Sequence, residues 1–229
     1  MRQKTFNFAG QRFVYLALEA EGGGTLERQS QVLFERAAAA LASQGLALDR
    51  NVVRSRVFGR TREARDVVSG VRGKVFEGQA RAATSSYISP AYFSSAADVG
   101  LDLFAMAAPG NAERKVSEHT PVQPFIRHLT WGPMVFLAGM TCETLPTLRE
   151  QYTDVLTRAG ALLAETGCAW ANVVHVAFFL HRSESPKALI DGIAATGTVP
   201  LDNCEVEQVD GYSRPGKLIE IEITGIRNQ

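Results

Sequence analysis

Leu218-Ile219-Glu220-Ile221-Glu222-Ile223-Thr224 is the stretch whose reading decides the fold. Apolar and carboxylate side chains alternate with period two, so the segment reads as a strand with Ile219, Ile221 and Ile223 on one face and Glu220 and Glu222 on the other. About 120 residues earlier, Leu101-Asp102-Leu103-Phe104-Ala105-Met106 shows a weaker form of the same pattern. Other blocks recur at the same spacing. Phe13-Val14-Tyr15-Leu16-Ala17 returns as Met134-Val135-Phe136-Leu137-Ala138, and Thr25-Leu26-Glu27-Arg28-Gln29 returns as Thr147-Leu148-Arg149-Glu150-Gln151. Asn51-Val52-Val53-Arg54 matches Asn172-Val173-Val174-His175, so the offsets are 14→135 = 121, 25→147 = 122 and 51→172 = 121. Agreement across separate blocks marks a duplication, and two copies are too few for a solenoid.

Each copy reads β-β-α-β-α-β-β, an α+β unit. In the first, a strand over 12–18 is followed by Gly22-Gly23-Gly24 and a helix capped by Thr25, with Leu26, Leu33, Ala37 and Leu41 on one face. A strand over 52–58, a helix from Arg62, and strands over 81–89 and 100–106 complete it. In the second, a hairpin through Trp131-Gly132 leads to the capping box Thr147-x-x-Glu150 and a helix ending at Gly167. Strands over 173–180, 203–209 and 217–224 follow, with Pro186 opening a short helix between the first two. The expected organisation is a divergent domain over 1–108, a linker over 109–122 and a better-preserved domain over 123–229. Helices cover one face of each sheet, so the other face must pack on a second sheet, in the same chain or across subunits.

The bulk properties exclude several classes. Twenty-four basic residues balance twenty-four acidic ones, and no basic block interleaved with aromatics is present, so nucleic acid is not an expected partner. The first residues lack the apolar core of a signal peptide and no apolar run approaches a membrane span of about 20 residues. A cytoplasmic protein is expected. Cys142, Cys168 and Cys204 have no CxxC spacing and the four histidines no ligand spacing, so reduced thiols are expected, with no metal and no cofactor.

The strand end Phe136-Leu137-Ala138-Gly139, the Gln151 helix, the step from Gly167 to Val173-Val174 and the terminal Ile219-Glu220-Ile221-Glu222 strand together resemble the RidA family, also called YjgF/YER057c/UK114. The resemblance spans both copies, more strongly the second. It implies trimers of a chorismate-mutase-like domain and hydrolysis of reactive enamines and imines to 2-keto acids and ammonia. The family's site holds a substrate carboxylate on an arginine that begins the fourth strand, while a glutamate on the last strand handles water. Such a division suits a bidentate guanidinium and a carboxylate base. Glu220 matches the glutamate, and Asp102 is read as its counterpart in the first copy. The second copy has no arginine at Leu201-Asp202-Asn203-Cys204, although Cys204 fits a family cysteine; in the first copy Arg81 can be laid on the motif, or Thr84 instead.

The resulting candidates are Glu220 and Arg81 as a composite catalytic pair, with Gly139, Asn203, Cys204 and Arg214 as substrate-binding positions. Glu220 can equally be a solvated carboxylate on an exposed face, Glu222 reads as structural, and Cys204 as a buried thiol. Arg54 and Arg56 alternate on one strand face, which invites a pocket or an intersubunit role. Three functions stay open: a hydrolytic deaminase of small enamine or imine carboxylates, a chorismatase-like or other enzyme on the same scaffold, and a non-catalytic binding or assembly protein. A small anionic metabolite is the expected partner, in a homo-oligomer with a trimer favoured.

Overall fold

A computed structural model describes residues 1–227. The first half runs β1 (Arg2–Phe8), β2 (Gln11–Glu19), α1 (Leu26–Ala42), the short α2 (Leu48–Asn51), β3 (Val52–Gly59), α3 (Arg62–Val75), β4 (Ala83–Ile88) and β5 (Val99–Met106). The second runs β6 (Arg114–Ser117), β7 (His128–Trp131), β8 (Met134–Leu137), β9 (Met140–Thr141), α4 (Leu148–Glu165), β10 (Val173–His181), α5 (Pro186–Ala194), β11 (Cys204–Val209) and β12 (Ile219–Ile226). The sheets have the orders β1-β2-β5-β3-β4 and β6-β7-β8-β12-β10-β11, with β9 also on β12. The five strands of the first sheet match β7-β8-β12-β10-β11 of the second, which adds β6 and β9, so the duplication is real in three dimensions. The segment read as a linker is ordered into the second sheet, because β6 lies within it and pairs with β7.

Only β3–β4 and β10–β11 are parallel. Parallel neighbours need a crossover, and α3 and α5 supply it. The helices begin where the caps require. Thr25 accepts the Arg28 amide, and Thr147 and Glu150 form the reciprocal box that satisfies otherwise orphaned donors. Leu33, Ala37 and Leu41 of α1 pack on Leu16, Leu101 and Leu103, while Tyr152, Val155 and Ala159 of α4 pack on Ile219, Ile221 and Ile223. The isoleucine face of the terminal strand is therefore a helix-covered core.

The carboxylate face is equally dry. The two sheets pack face to face within the chain, through Phe13, Met106, Met134 and Phe136 at one side and Phe58, Tyr87, Phe179 and Tyr212 at the other. Glu220 is 6% exposed and Glu222 1%. The alternative of solvated glutamates on a free sheet face is thereby ruled out by the pairing of the sheets. No helix among the described residues is long and apolar enough to cross a membrane.

Candidate functional site

The inter-sheet layer contains most of the buried charge. Glu222 is its centre: Arg56 donates to Oε2 through Nε at 2.9 Å and Nη2 at 2.8 Å, Arg54 Nη1 lies 3.1 Å from the same oxygen, and Ser85 Oγ donates to Oε1. Burial pushes the Glu222 carboxyl up, but the charges of Arg56 and Arg54 outweigh it and hold the group at about 2. Arg56 is further sandwiched between the rings of Phe104 and Phe179. Two arginines spaced by two on β3 thus grip one carboxylate of the other half. This answers what Arg54 and Arg56 do within the chain.

Glu220 stands differently. Its polar neighbours are Tyr87, whose hydroxyl is 3.2 Å away, and Ser85, and burial raises its carboxyl to about 7, with Lys217 opposing and Glu222 reinforcing the shift. Gly139 is pressed against it. A Cβ there would overlap Glu220 Oε1 and Ser85 Oγ, so only glycine lets the backbone approach. The Gly139 amide donates to Thr84 O at 3.3 Å, which closes this side of the layer against β4. The loop before β12 seals it further, through a backbone bridge between Ile88 and Gly211 and the buried Tyr212, whose hydroxyl donates to Phe179 O.

The register corrects one expectation. In β3–β5 Arg56 lies opposite Asp102, and in β10–β12 Ala177 lies opposite Glu222, with a register shift at the same place in both pairs. Asp102 therefore corresponds to Glu222, and the counterpart of Glu220 is Gly100. A side chain at Gly100 would overlap the ring of Tyr92, so a tyrosine takes the space that a carboxylate occupies in the second half.

The opposite side of the layer is open. β2 is continuous where the second half breaks between β8 and β9, so no counterpart of the Gly139 contact forms against β11. A cleft of about 510 Å³ remains. Its walls are Phe6, Phe8, Phe13, Tyr15, Phe104 and Phe136, and its polar lining includes Arg54, Arg56, Asp102, His175, Glu205 and Glu207. Asp102 accepts from Tyr92 Oη at 2.7 Å, and burial raises its carboxyl. Burial likewise lifts Glu207 to about 7 against the pull of Arg56. Glu205 instead sits low, through His175 Nε2 at 3.4 Å and, despite burial, Arg56. Arg54 Nη1 is buried and, although near Glu222, is not aligned for a hydrogen bond. Arg54 thus lines the cleft as a residue whose Nη1 is held by charge on Glu222 and makes no hydrogen bond.

Comparisons with known proteins agree with this architecture. No family model matches the chain, and no curated protein matches it. A chorismatase of known structure superposes on 97% of this chain and 79% of its own, with a TM-score of 0.64 at 14% identity. In fold the chain is a tandem of two similar α+β units, and each half resembles the RidA-like domain. Single-domain structures match half of it: a YjgF-family protein of Neisseria meningitidis covers 51% of this chain and 97% of its own at 25% identity and a TM-score of 0.44. A YjgF/YER057c/UK114 family protein of Mycobacterium tuberculosis covers 50% and 99% at 20% identity and a TM-score of 0.40.

Within this RidA-like tandem the sequence candidates separate. Gly139 and Glu220 meet at the closed side. Arg81 precedes β4 and is held by Glu118 Oε2 at 2.7 Å and Gln123 O at 2.6 Å, so the chain does not bring it to Glu220. Asn203, just before β11, donates through Nδ2 to Val173 O at the start of β10, and the Cys204 thiol, raised to about 11 by burial, faces Pro200 O. Arg214 pairs with Glu143 at the surface. The cleft residues Tyr15, Phe104, Phe136 and Glu207 were not picked out. Glu205-x-Glu207 on a strand was the available signal, a one-sided carboxylate pair that mirrors Glu220-x-Glu222.

Proposed function

We propose that the chain binds a small, planar, unsaturated carboxylate in the inter-sheet cleft and hydrolyses it by protonating its electron-rich double bond from Glu207. The carrying observation is the combination in one cavity of aromatic walls, an unaligned buried guanidinium N–H on Arg54 and a carboxyl that keeps its proton up to about pH 7. Aromatic faces suit a flat conjugated ligand, and Arg54 gives its carboxylate a charge-assisted partner. An acid with its pKa near working pH is the efficient donor.

Glu207 gives its proton to the terminal carbon of the C=C bond, whose π electrons form the new C–H bond. The adjacent carbon becomes an iminium or oxocarbenium centre. Water adds there and loses a proton to the Glu207 carboxylate, and the adduct collapses to a 2-keto acid with release of ammonia or an alcohol. The enamine case is the deaminase suggested by the family resemblance. The enol-ether case is favoured by the full-length likeness to a chorismatase fold. Both share the acid and the carboxylate grip.

The test is release of keto acid from freshly generated 2-aminoacrylate and from an enol-pyruvyl ether, with wild type, Glu207→Gln and Arg54→Met side by side. Glu207→Gln should lower kcat by about 10²–10⁴-fold, and Arg54→Met should chiefly raise KM. Turnover of neither substrate, or a Glu207→Gln enzyme as fast as wild type, overturns the reading.

A further inference from the structure

A second cluster of cations lies outside the cleft, between α3 and the loop that precedes β12. Arg65, Ser69 and Arg72 are spaced by four and three residues on α3, which places them on one helix face. That face meets the edge of the first sheet: Arg65 Nη2 donates to Ser86 Oγ at 2.6 Å and Arg72 Nη1 to Ser85 O. Arg62 ties the helix to the loop through Tyr212 O and Ser213 O, at 3.3 and 3.1 Å. From the loop, Lys217 Nζ donates to Ser213 Oγ at 2.8 Å.

Two observations set this cluster apart from an ordinary solvated face. Arg65 Nε and Ser69 Oγ are buried without a hydrogen-bond partner, which is costly unless a ligand supplies one. Hydrogen-bonded counter-charge is also sparse. Arg72, 9% exposed, meets a backbone carbonyl and Lys217 a hydroxyl, while Arg65 pairs with the half-exposed Asp66 at 2.6 Å. Glu220 and Glu222 act on Arg72, and Glu220 and Glu143 on Lys217, through charge without a hydrogen bond. Burial is the main cause that depresses Arg72, to about 10, and Lys217, and the charge of Arg65 adds to the lowering of both.

We infer that α3 and the loop before β12 form a second site, separate from the cleft, for a small oxyanion such as phosphate or sulfate, with Arg65, Ser69, Arg72 and Lys217 as its donors. Two unsatisfied donors on α3, with the ammonium of Lys217 facing them from the loop, call for a ligand rich in acceptors. A tetrahedral oxyanion has enough oxygens to serve them all, whereas a monocarboxylate has two. Binding would also relieve the repulsion among the three cations. This site does not depend on the activity proposed for the cleft, whose lining comes from other strands.

The test is calorimetric and thermal titration of the intact chain with inorganic phosphate, at ionic strength held constant with chloride, and with acetate as the carboxylate control. Wild type should give a saturable rise in Tm with phosphate that acetate does not reproduce. Arg65→Gln and Lys217→Met, both at the rim and compatible with folding, should each weaken phosphate at least about tenfold, the loss of roughly one charge-assisted hydrogen bond. Glu207→Gln, in the cleft, should bind phosphate as wild type does. The inference fails if phosphate shifts Tm no more than matched chloride, or if Arg65→Gln and Lys217→Met both bind like wild type.

Discussion

Replacing Glu220 by glutamine tests the reading of the terminal strand directly. The folded chain raises this carboxyl from 4.5 to about 7, because burial and the neighbouring ionised Glu222 outweigh the opposing pull of Lys217 and the hydrogen bonds from Ser85 and Tyr87. A carboxyl with a raised folded pKa keeps its proton where the unfolded chain has lost it, so its contribution is intact below about pH 4.5 and declines as pH rises to 7. The rise from 4.5 to about 7, at about 1.4 kcal/mol for each tenfold change in proton affinity, gives roughly 3 kcal/mol. Glutamine has the shape of the protonated acid and no charge to lose. Urea unfolding at pH 5 and pH 8.5 should therefore give similar stabilities at the lower pH and a variant more stable by about 3 kcal/mol at the higher. Comparing the two proteins at each pH cancels the other titrating groups, including Glu207, which drifts in the same direction. Parallel profiles for wild type and Glu220→Gln, within about 0.5 kcal/mol across that range, would refute the argument.

Glu222→Gln strands two buried guanidiniums and should cost about 3–5 kcal/mol in urea unfolding; a loss below 1 kcal/mol would show that Arg54 and Arg56 find other partners. Gly139→Ala forces a methyl into Glu220 and Ser85 and should lower stability by about 1–3 kcal/mol, read as a fall in Tm. Arg81→Ala breaks a partly exposed pair with Glu118 and should change stability by no more than about 1 kcal/mol while leaving turnover at the cleft intact. If Glu207 is the proton donor, kcat/KM should fall as pH rises through about 7, and Glu207→Gln should abolish that limb along with most of the rate.

Much of this fold was legible because its signals are local. Caps at Thr25 and Thr147, period-two strands and blocks repeated near 121 residues apart depend on neighbouring positions and survive divergence between copies. The site was less legible. Gly139 and Glu220 were each singled out from motifs without being placed together, and Arg56 reaches Glu222 from 166 residues away, with no spacing rule to connect them. Matching Asp102 to Glu220 failed because side-chain chemistry suggested one alignment and strand register imposes another, two residues along.

What the sequence by itself determined is that two similar α+β units exist and that the last strand of the second has an apolar face and a carboxylate one, since alternation fixes which residues share a face. It did not determine what the polar face meets. Tertiary structure decided that, by packing the two sheets together so that Glu222 ionises between arginines while Glu220, two residues away, keeps its proton. It also decided which side of the layer stays open, because a break at Gly139 closes one edge and the unbroken β2 leaves the other as a cleft. Burial and long-range charge make that difference, and neither is a property of a segment.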